Sequence, residues 1–258
     1  MPSNDRSSPA PLLEVRAVTV QFGGVRALDA VDLDVMPGQI TGLIGPNGAG
    51  KTTLFNVITG LQEPTGGRVH LDGVDITSWA PHRRGRAGIA RTFQRLELFR
   101  GLSVHDNLLG TWEAASAGAV LGRNRREGRR VVADVVERLG LGDIAERPAG
   151  QLSTGMGRMV ELGRAMCAHP RVLLLDEPGA GLDPAETDQF RDVLLDVVGR
   201  DSGEPAILLV EHDVALVMEV CDQITVLDFG ERIASGPPAE IREDPLVIAA
   251  YLGEGEVA

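Results

Sequence analysis

Gly45-Pro46-Asn47-Gly48-Ala49-Gly50-Lys51-Thr52-Thr53 is the stretch that decides the fold of this chain. The spacing G-x-x-x-x-G-K-T puts glycines where a backbone must close tightly round an anion, and a lysine where a compact ammonium reaches between phosphate groups. Upstream, Ile40 to Ile44 is a short continuous apolar run; from Thr52 to Thr59 the pattern turns helical. Strand, glycine loop and helix in that order make a phosphate cradle, because loop N–H groups approach the oxygens and the helix aims its positive end at the same charge. Lys51 is the only lysine, and the other 24 basic residues are arginine.

Working outward, Leu13 to Val20 and Ala30 to Val35 alternate apolar and polar positions, as strands with one solvated face do. Arg68 to Leu71 and Val74 to Ile76 flank Asp72-Gly73, a hairpin turn dipeptide. From Leu102 to about Pro170 the periodicity is helical, with Ala114 to Arg130 reading as a loop or frayed helix end because it is rich in Gly, Ala, Ser and Arg. Strand patterns return at Val172 to Leu175, Ala206 to Val210 and Ile224 to Leu227, separated by helical stretches after Pro184 and Asp213. Alternation of this kind predicts an α/β fold with a mainly parallel sheet, preceded by an antiparallel β region and interrupted by a helical lobe.

The length of 258 residues allows a full core, and 43% hydrophobic with 24% charged residues is a globular balance. A formal net charge of −12 argues against a protein whose affinity comes from neutralising many nucleic-acid phosphates, while leaving room for a local basic patch. Cys167 and Cys221 lie far apart within apolar patterns and read as buried reduced thiols, in agreement with a cytosolic location. Met1 to Pro11 is polar and reads as a loose tail, neither signal nor transit peptide. No uncharged apolar run approaches the roughly 18 residues a membrane crossing needs.

Two carboxylates, Asp176 and Glu177, end the apolar run Val172 to Leu175, where ligands of open α/β sheets bind. Taken alone, such a pair suits a solvated helix start equally well. Beside a phosphate loop it suits Asp176 as a magnesium holder, with Thr52 as the second oxygen donor, and Glu177 as general base toward water. His212 follows the strand Ala206 to Val210, and Gln94 follows Ile89 to Phe93; neither is decisive in isolation. Phe22 fits a half-buried strand aromatic or a base-stacking one. The arginines Arg123, Arg125, Arg126, Arg129 and Arg130, like Arg83, Arg84, Arg86 and Arg91, read as solvated faces or loops.

With these residues in hand, the segment Leu152-Ser153-Thr154-Gly155-Met156 adds the specific element, and from about Leu13 to Gly253 the chain resembles the ATP-binding subunits of ABC transporters. That resemblance implies the ABC ATPase fold over residues 12–253: a P-loop NTPase core at 12–95 and 171–236, a helical signature lobe at 96–170 and C-terminal helices at 237–253, with tails at 1–11 and 254–258. It implies ATP and Mg2+ as cofactors, held by Gly45, Pro46, Asn47, Gly48, Ala49, Gly50, Lys51, Thr52 and Thr53, with Phe22 on the adenine. Gln94 becomes the link between metal, water and membrane partner, His212 the switch histidine, and Gly181-Leu182-Asp183 the loop that contacts a second ATP-binding subunit. Ser153 and Gly155 would meet the γ-phosphate held by that second subunit. The expected partners are transmembrane permease subunits, with no nucleic acid, and the expected place is the cytoplasmic face of the membrane.

Within the family, Ala90-Arg-Thr-Phe-Gln94, Leu98-Phe99-Arg100, Glu211-His212-Asp213 and the ending Ala250-Tyr251-Leu252-Gly253 look most like subunits serving branched-chain or other hydrophobic amino-acid importers. Alternatives are a lipopolysaccharide-type exporter ATPase, an ABC ATPase acting on ribosome or DNA, and a regulatory module without turnover. Thr154 and Met156 stand where the family usually has glycine and glutamine. Met156, followed by helix-weakening Gly157, implies either a slower composite site or a partner subunit with a more regular signature. The groove from Gln94 to Leu102, with Leu96, Leu98 and Phe99 exposed, is the expected contact with the membrane subunit.

Overall fold

The computed structural model describes residues 10–92, 96–116, 125–199 and 205–252. Gln94, Phe93, Arg123, Gly253 and most of both expected tails lie outside them. Two sheets organise the fold. The first is antiparallel, in the order β2 (Val25–Val35), β1 (Leu13–Phe22), β4 (Gly66–Leu71), β5 (Val74–Asp75). The second has the order β10 (Glu231–Gly236), β9 (Gln223–Asp228), β3 (Ile40–Ile44), β8 (Ala206–Val210), β7 (Val172–Asp176), β6 (Ile89–Arg91), parallel throughout except for β10 against β9.

Strands β3, β7 and β8 are buried on both faces, which is why their sequences are continuous apolar runs. Their two-residue alternation sorts side chains into two cores. Leu173, Leu175, Ile207 and Leu209 face one core, shared with the helical lobe α3 (Val104–Ala115), α4 (Arg125–Arg138) and α5 (Thr154–Cys167) and with α6 (Pro184–Val198) and α7 (Val214–Val220). Val172, Leu174, Leu208 and Val210 face the other, closed by α1 (Lys51–Thr59) and the antiparallel sheet. Helices α8 (Pro238–Glu243) and α9 (Pro245–Leu252) end the described chain. Both cysteines are free and buried, and burial pushes each thiol up to about 12.

Three expectations are corrected. β2 begins at Val25 rather than Ala30, pairing with Phe22 across the turn Gly23-Gly24. The segment expected to be a loop or frayed helix end from Ala114 to Arg130 is regular helix at both ends, in α3 up to Ala115 and in α4 from Arg125. Its glycine content misled: a Cβ on Gly128 would stand 2.5 Å from the Trp112 ring, so the glycine serves helix packing and not a turn. Arg126, Arg129 and Arg130 are exposed on α4 as expected. Arg84 and Arg91, by contrast, are not solvated.

Arg84, on α2 (Pro81–Arg86), is only 1% exposed. Its guanidinium donates to the Val57 and Ile58 carbonyls at the end of α1 (2.6 and 2.8 Å), to the Thr77 carbonyl (2.7 Å) and to the Trp79 carbonyl (2.9 Å). Burial pulls its pKa down, yet the carbonyl ring and the negative end of α1 hold the cation. Gly60, in the left-handed region at φ 79°, completes the same helix end and leaves no space for a side chain against Arg84. Replacing Arg84 by Met should lower the unfolding free energy by about 3 kcal/mol, because four buried acceptors lose their donor. Denaturant titration of the two purified chains measures it, and a loss under about 0.5 kcal/mol would contradict the role assigned to Arg84.

Candidate functional site

The loop between β3 and α1 is shaped by glycines at positive φ: Gly45 at 147°, Gly48 at 81° and Gly50 at 106°. Gly50 is the N-cap of α1, and no side chain caps that helix. Its first-turn N–H groups therefore lack helical partners and are available to an anion. The turn joining β9 to β10 supports the loop from behind, with the Gly230 N–H bonded to the Ala49 carbonyl (3.1 Å) and the Leu227 carbonyl pressed against Gly45. Lys51 is nearly buried, its Nζ donating to the Gly45 and Pro46 carbonyls (2.5 and 2.9 Å). Asn47, Gly48 and Thr52 are exposed at the open side, with Thr53 half-buried behind them. Phe22 stands half-exposed at the tip of the β1–β2 hairpin.

Asp176 ends β7 with 1% exposure. Arg91, its side chain 8% exposed, donates to Asp176 Oδ2 at 2.6 Å and to Asn56 of α1 at 2.7 Å, so it binds the acidic strand end to the phosphate-loop helix. Among the described residues Asp176 Oδ1 is buried and has no hydrogen-bond partner. A buried carboxylate oxygen left open fits a hard, oxygen-seeking divalent ion that keeps part of its water shell. Glu177 follows in the left-handed region at φ 50°, an uncommon state for a side-chain-bearing residue that its N–H bond to the Val210 carbonyl (2.8 Å) helps to hold. His212 Nε2 lies 2.9 Å from Glu177 Oε1, so the loops after β7 and β8 bring these two together, a contact the sequence did not specify.

The signature segment lies at the start of α5. Ser153 is its N-cap, accepting from the Met156 N–H at 3.2 Å. Asp183 caps α6 in a reciprocal box with Glu186, whose carboxylate also reaches Ser153 Oγ (3.3 Å) and fills the space a Cβ on Gly155 would take. Ser153, Gly155 and Asp183 are thus joined to one another through Glu186. Gly157 is a close-approach position: a Cβ there would come 2.5 Å from Leu96, which rests on α5. Leu96 and Phe99 are exposed, whereas Leu98, expected to be so, packs against the core. Buried Asn107 holds the loop, accepting the Phe99 N–H (2.9 Å) and donating to the Phe99 carbonyl (3.1 Å). In the sequence Asn107 has no marked role, Arg91 reads only as surface charge and Glu211 only as part of a family motif; Arg91 and Glu211 owe their contacts to Asp176 and Gly179, distant in the chain.

Residues 28–180 match the family described as "ABC transporter", and residues 231–257 match "Branched-chain amino acid ATP-binding cassette transporter". The chain is 41% identical over 253 residues to the high-affinity branched-chain amino acid transport ATP-binding protein BraF of Pseudomonas aeruginosa, covering 95% of this chain and 98% of that one. It is 40% identical to LivG of Escherichia coli K12, a protein of the same description, with the same coverage. A lipopolysaccharide export system ATP-binding protein, LptB of Haemophilus influenzae, is 34% identical over 94% of this chain and 98% of its own. Among solved structures, the ATP-binding cassette MJ1267 of an ABC transporter superposes with a TM-score of 0.83 at 31% identity, over 94% of this chain and 99% of that one.

The loop geometry separates its glycines by experiment. A Cβ on Gly45 would lie 2.0 Å from the Leu227 carbonyl oxygen, whereas one on Gly48 meets nothing within 4 Å. Gly45→Ala should abolish nucleotide binding measured by a fluorescent ATP analogue. Gly48→Ala should fold with a loss of only about 1 kcal/mol, from its positive φ alone. Equal behaviour of the two variants would contradict the described packing.

Proposed function

The chain belongs to the ABC transporter family of ATP-binding proteins, and from that premise we propose that it binds and hydrolyses ATP to energise the import of branched-chain or related hydrophobic amino acids through separate membrane subunits. The observation that carries the hydrolytic part is the 2.9 Å contact of His212 with Glu177 at the sheet end that also bears Asp176. The importer part is supported by the match of residues 231–257 and by the relatives of that description, which favour it over lipopolysaccharide export.

Loop N–H groups from Gly45 to Thr53 and the open end of α1 receive the β- and γ-phosphates. Lys51 exchanges its two carbonyl acceptors for phosphate oxygens, adding positive charge where the transferring group develops negative charge. Phe22 stacks on the base. Thr52 and Asp176 would hold Mg2+, which when bound would neutralise phosphate charge. Water attacks the γ-phosphorus in line: its oxygen forms the new P–O bond, the bond to the β-phosphate oxygen breaks, and Glu177 accepts the water proton. His212 orients the Glu177 carboxylate. Gln94 belongs to the same proposal, as the residue between metal site and membrane partner.

Ser153 and Gly155 complete the site of a second ATP-binding subunit, with Asp183 at the contact between the two. Met156 is exposed at this end of α5, where the family's polar side chain would stand. Among the described residues no helix is long and apolar enough to cross a membrane, so the transmembrane path belongs to the permease subunits, on whose cytoplasmic side this chain docks. The exposed residues Leu96, Phe99 and Leu102 supply the docking face.

Phe99→Asp places a charge on that face without touching the phosphate loop. The variant should bind the fluorescent ATP analogue as the parent does while uptake of radiolabelled leucine, in cells depending on this chain, falls at least tenfold. Retained uptake would remove the docking assignment. Failure of the parent chain to restore uptake of any branched-chain amino acid would remove the importer reading.

A further inference from the structure

Glu211 ends the segment before His212, and the mechanism above gives it no task. Its carboxylate is buried, and among the described residues it makes no ion pair. Oε1 accepts the Gly179 N–H at 2.5 Å, Oε2 accepts the His212 N–H at 3.1 Å, and the Asp213 N–H donates to the same group. Burial pushes its pKa up, the three N–H donors pull it down, and the nearby Glu177 adds a smaller upward push.

The two loops joined in this way are the ones that bear the water-activating pair. Gly179 lies two residues after Glu177, and the Glu177 N–H bonds to Val210, the residue before Glu211. The join is close-fitting: a Cβ on Gly179 would stand 2.9 Å from Glu211 Oε1. A carboxylate offers acceptors to both loops at once, whereas an amide of equal size turns donors toward one of them.

We propose that Glu211 is a positioning residue for hydrolysis: by accepting N–H groups from the loop after β7 and the loop after β8, it sets the separation of Glu177 from His212. This rests on the ATPase reading. A residue serving fold stability alone would, once replaced, lower melting temperature and leave turnover per folded molecule unchanged.

The test uses the full chain, with Mg-ATP hydrolysis followed at steady state and ATP affinity measured separately with a fluorescent analogue. Glu211→Gln should lower kcat at least tenfold while KM and analogue affinity stay within about twofold, since Glu211 touches no phosphate-binding residue. Gly179→Ala, which keeps the carboxylate but displaces it, should show the same split. The double variant should fall no further than the worse single one, because both act on one contact. If Glu211→Gln does not fold, Gly179→Ala decides alone. Wild-type kcat in either folded variant overturns the proposal, and so do losses that multiply in the double variant or that appear equally in ATP affinity. A wild-type chain without hydrolysis overturns the ATPase reading and this inference with it, whereas wild-type turnover with indifferent variants overturns this inference only.

Discussion

The first turn of α1 carries N–H groups that the helix itself cannot satisfy, and much of the architecture keeps them open in one direction. A side-chain cap would have closed that end; Gly50 leaves it bare. The opposite end is closed instead, by Gly60 and by the buried guanidinium of Arg84. A helix stabilised at its C-terminus and unfilled at its N-terminus keeps its dipole directed at whatever anion enters. Support from the β9–β10 turn behind Gly45 and Ala49 then fixes where that anion must sit.

The same economy of placement governs the acidic side. Two parallel strands buried on both faces, β7 and β8, deliver Asp176, Glu177 and Glu211 to one edge, and each carboxylate is held by a partner from a different element: Arg91 from β6, His212 from the loop after β8, Gly179 from the loop after β7. The helical lobe is attached to this edge through contacts that a methyl group would disrupt, Leu96 on Gly157 and Glu186 on Gly155. Displacement of the loop bearing Phe99 therefore reaches α5 directly.

Much of this was legible in the sequence because it is local. Continuous apolar runs announce doubly buried strands, and Asp72-Gly73 announces its hairpin. The glycine loop lies between strand and helix as its spacing requires. What escaped depends on partners far along the chain. Arg84 and Arg91 look like surface charge until the carbonyls of α1 and the carboxylate of Asp176 are brought to them. Gly128 and Gly157 look like helix breakers until Trp112 and Leu96 take up the space. β10 went unread because most of its residues are polar or exposed, leaving no apolar alternation to mark it. Glu211 reads only as part of a family motif, because its partners are backbone groups, which leave no trace in residue identity.

The confinement of the single lysine to the phosphate loop has a consequence for the protein as an electrolyte. All remaining positive side-chain charge above neutral pH sits on guanidinium groups, which are far weaker acids than an ammonium. The two thiols ionise only at about 12, and there is one tyrosine. Between mildly and strongly alkaline solution the side chains release almost nothing, so electrophoretic mobility should stay nearly level where lysine-rich proteins turn steeply more anionic.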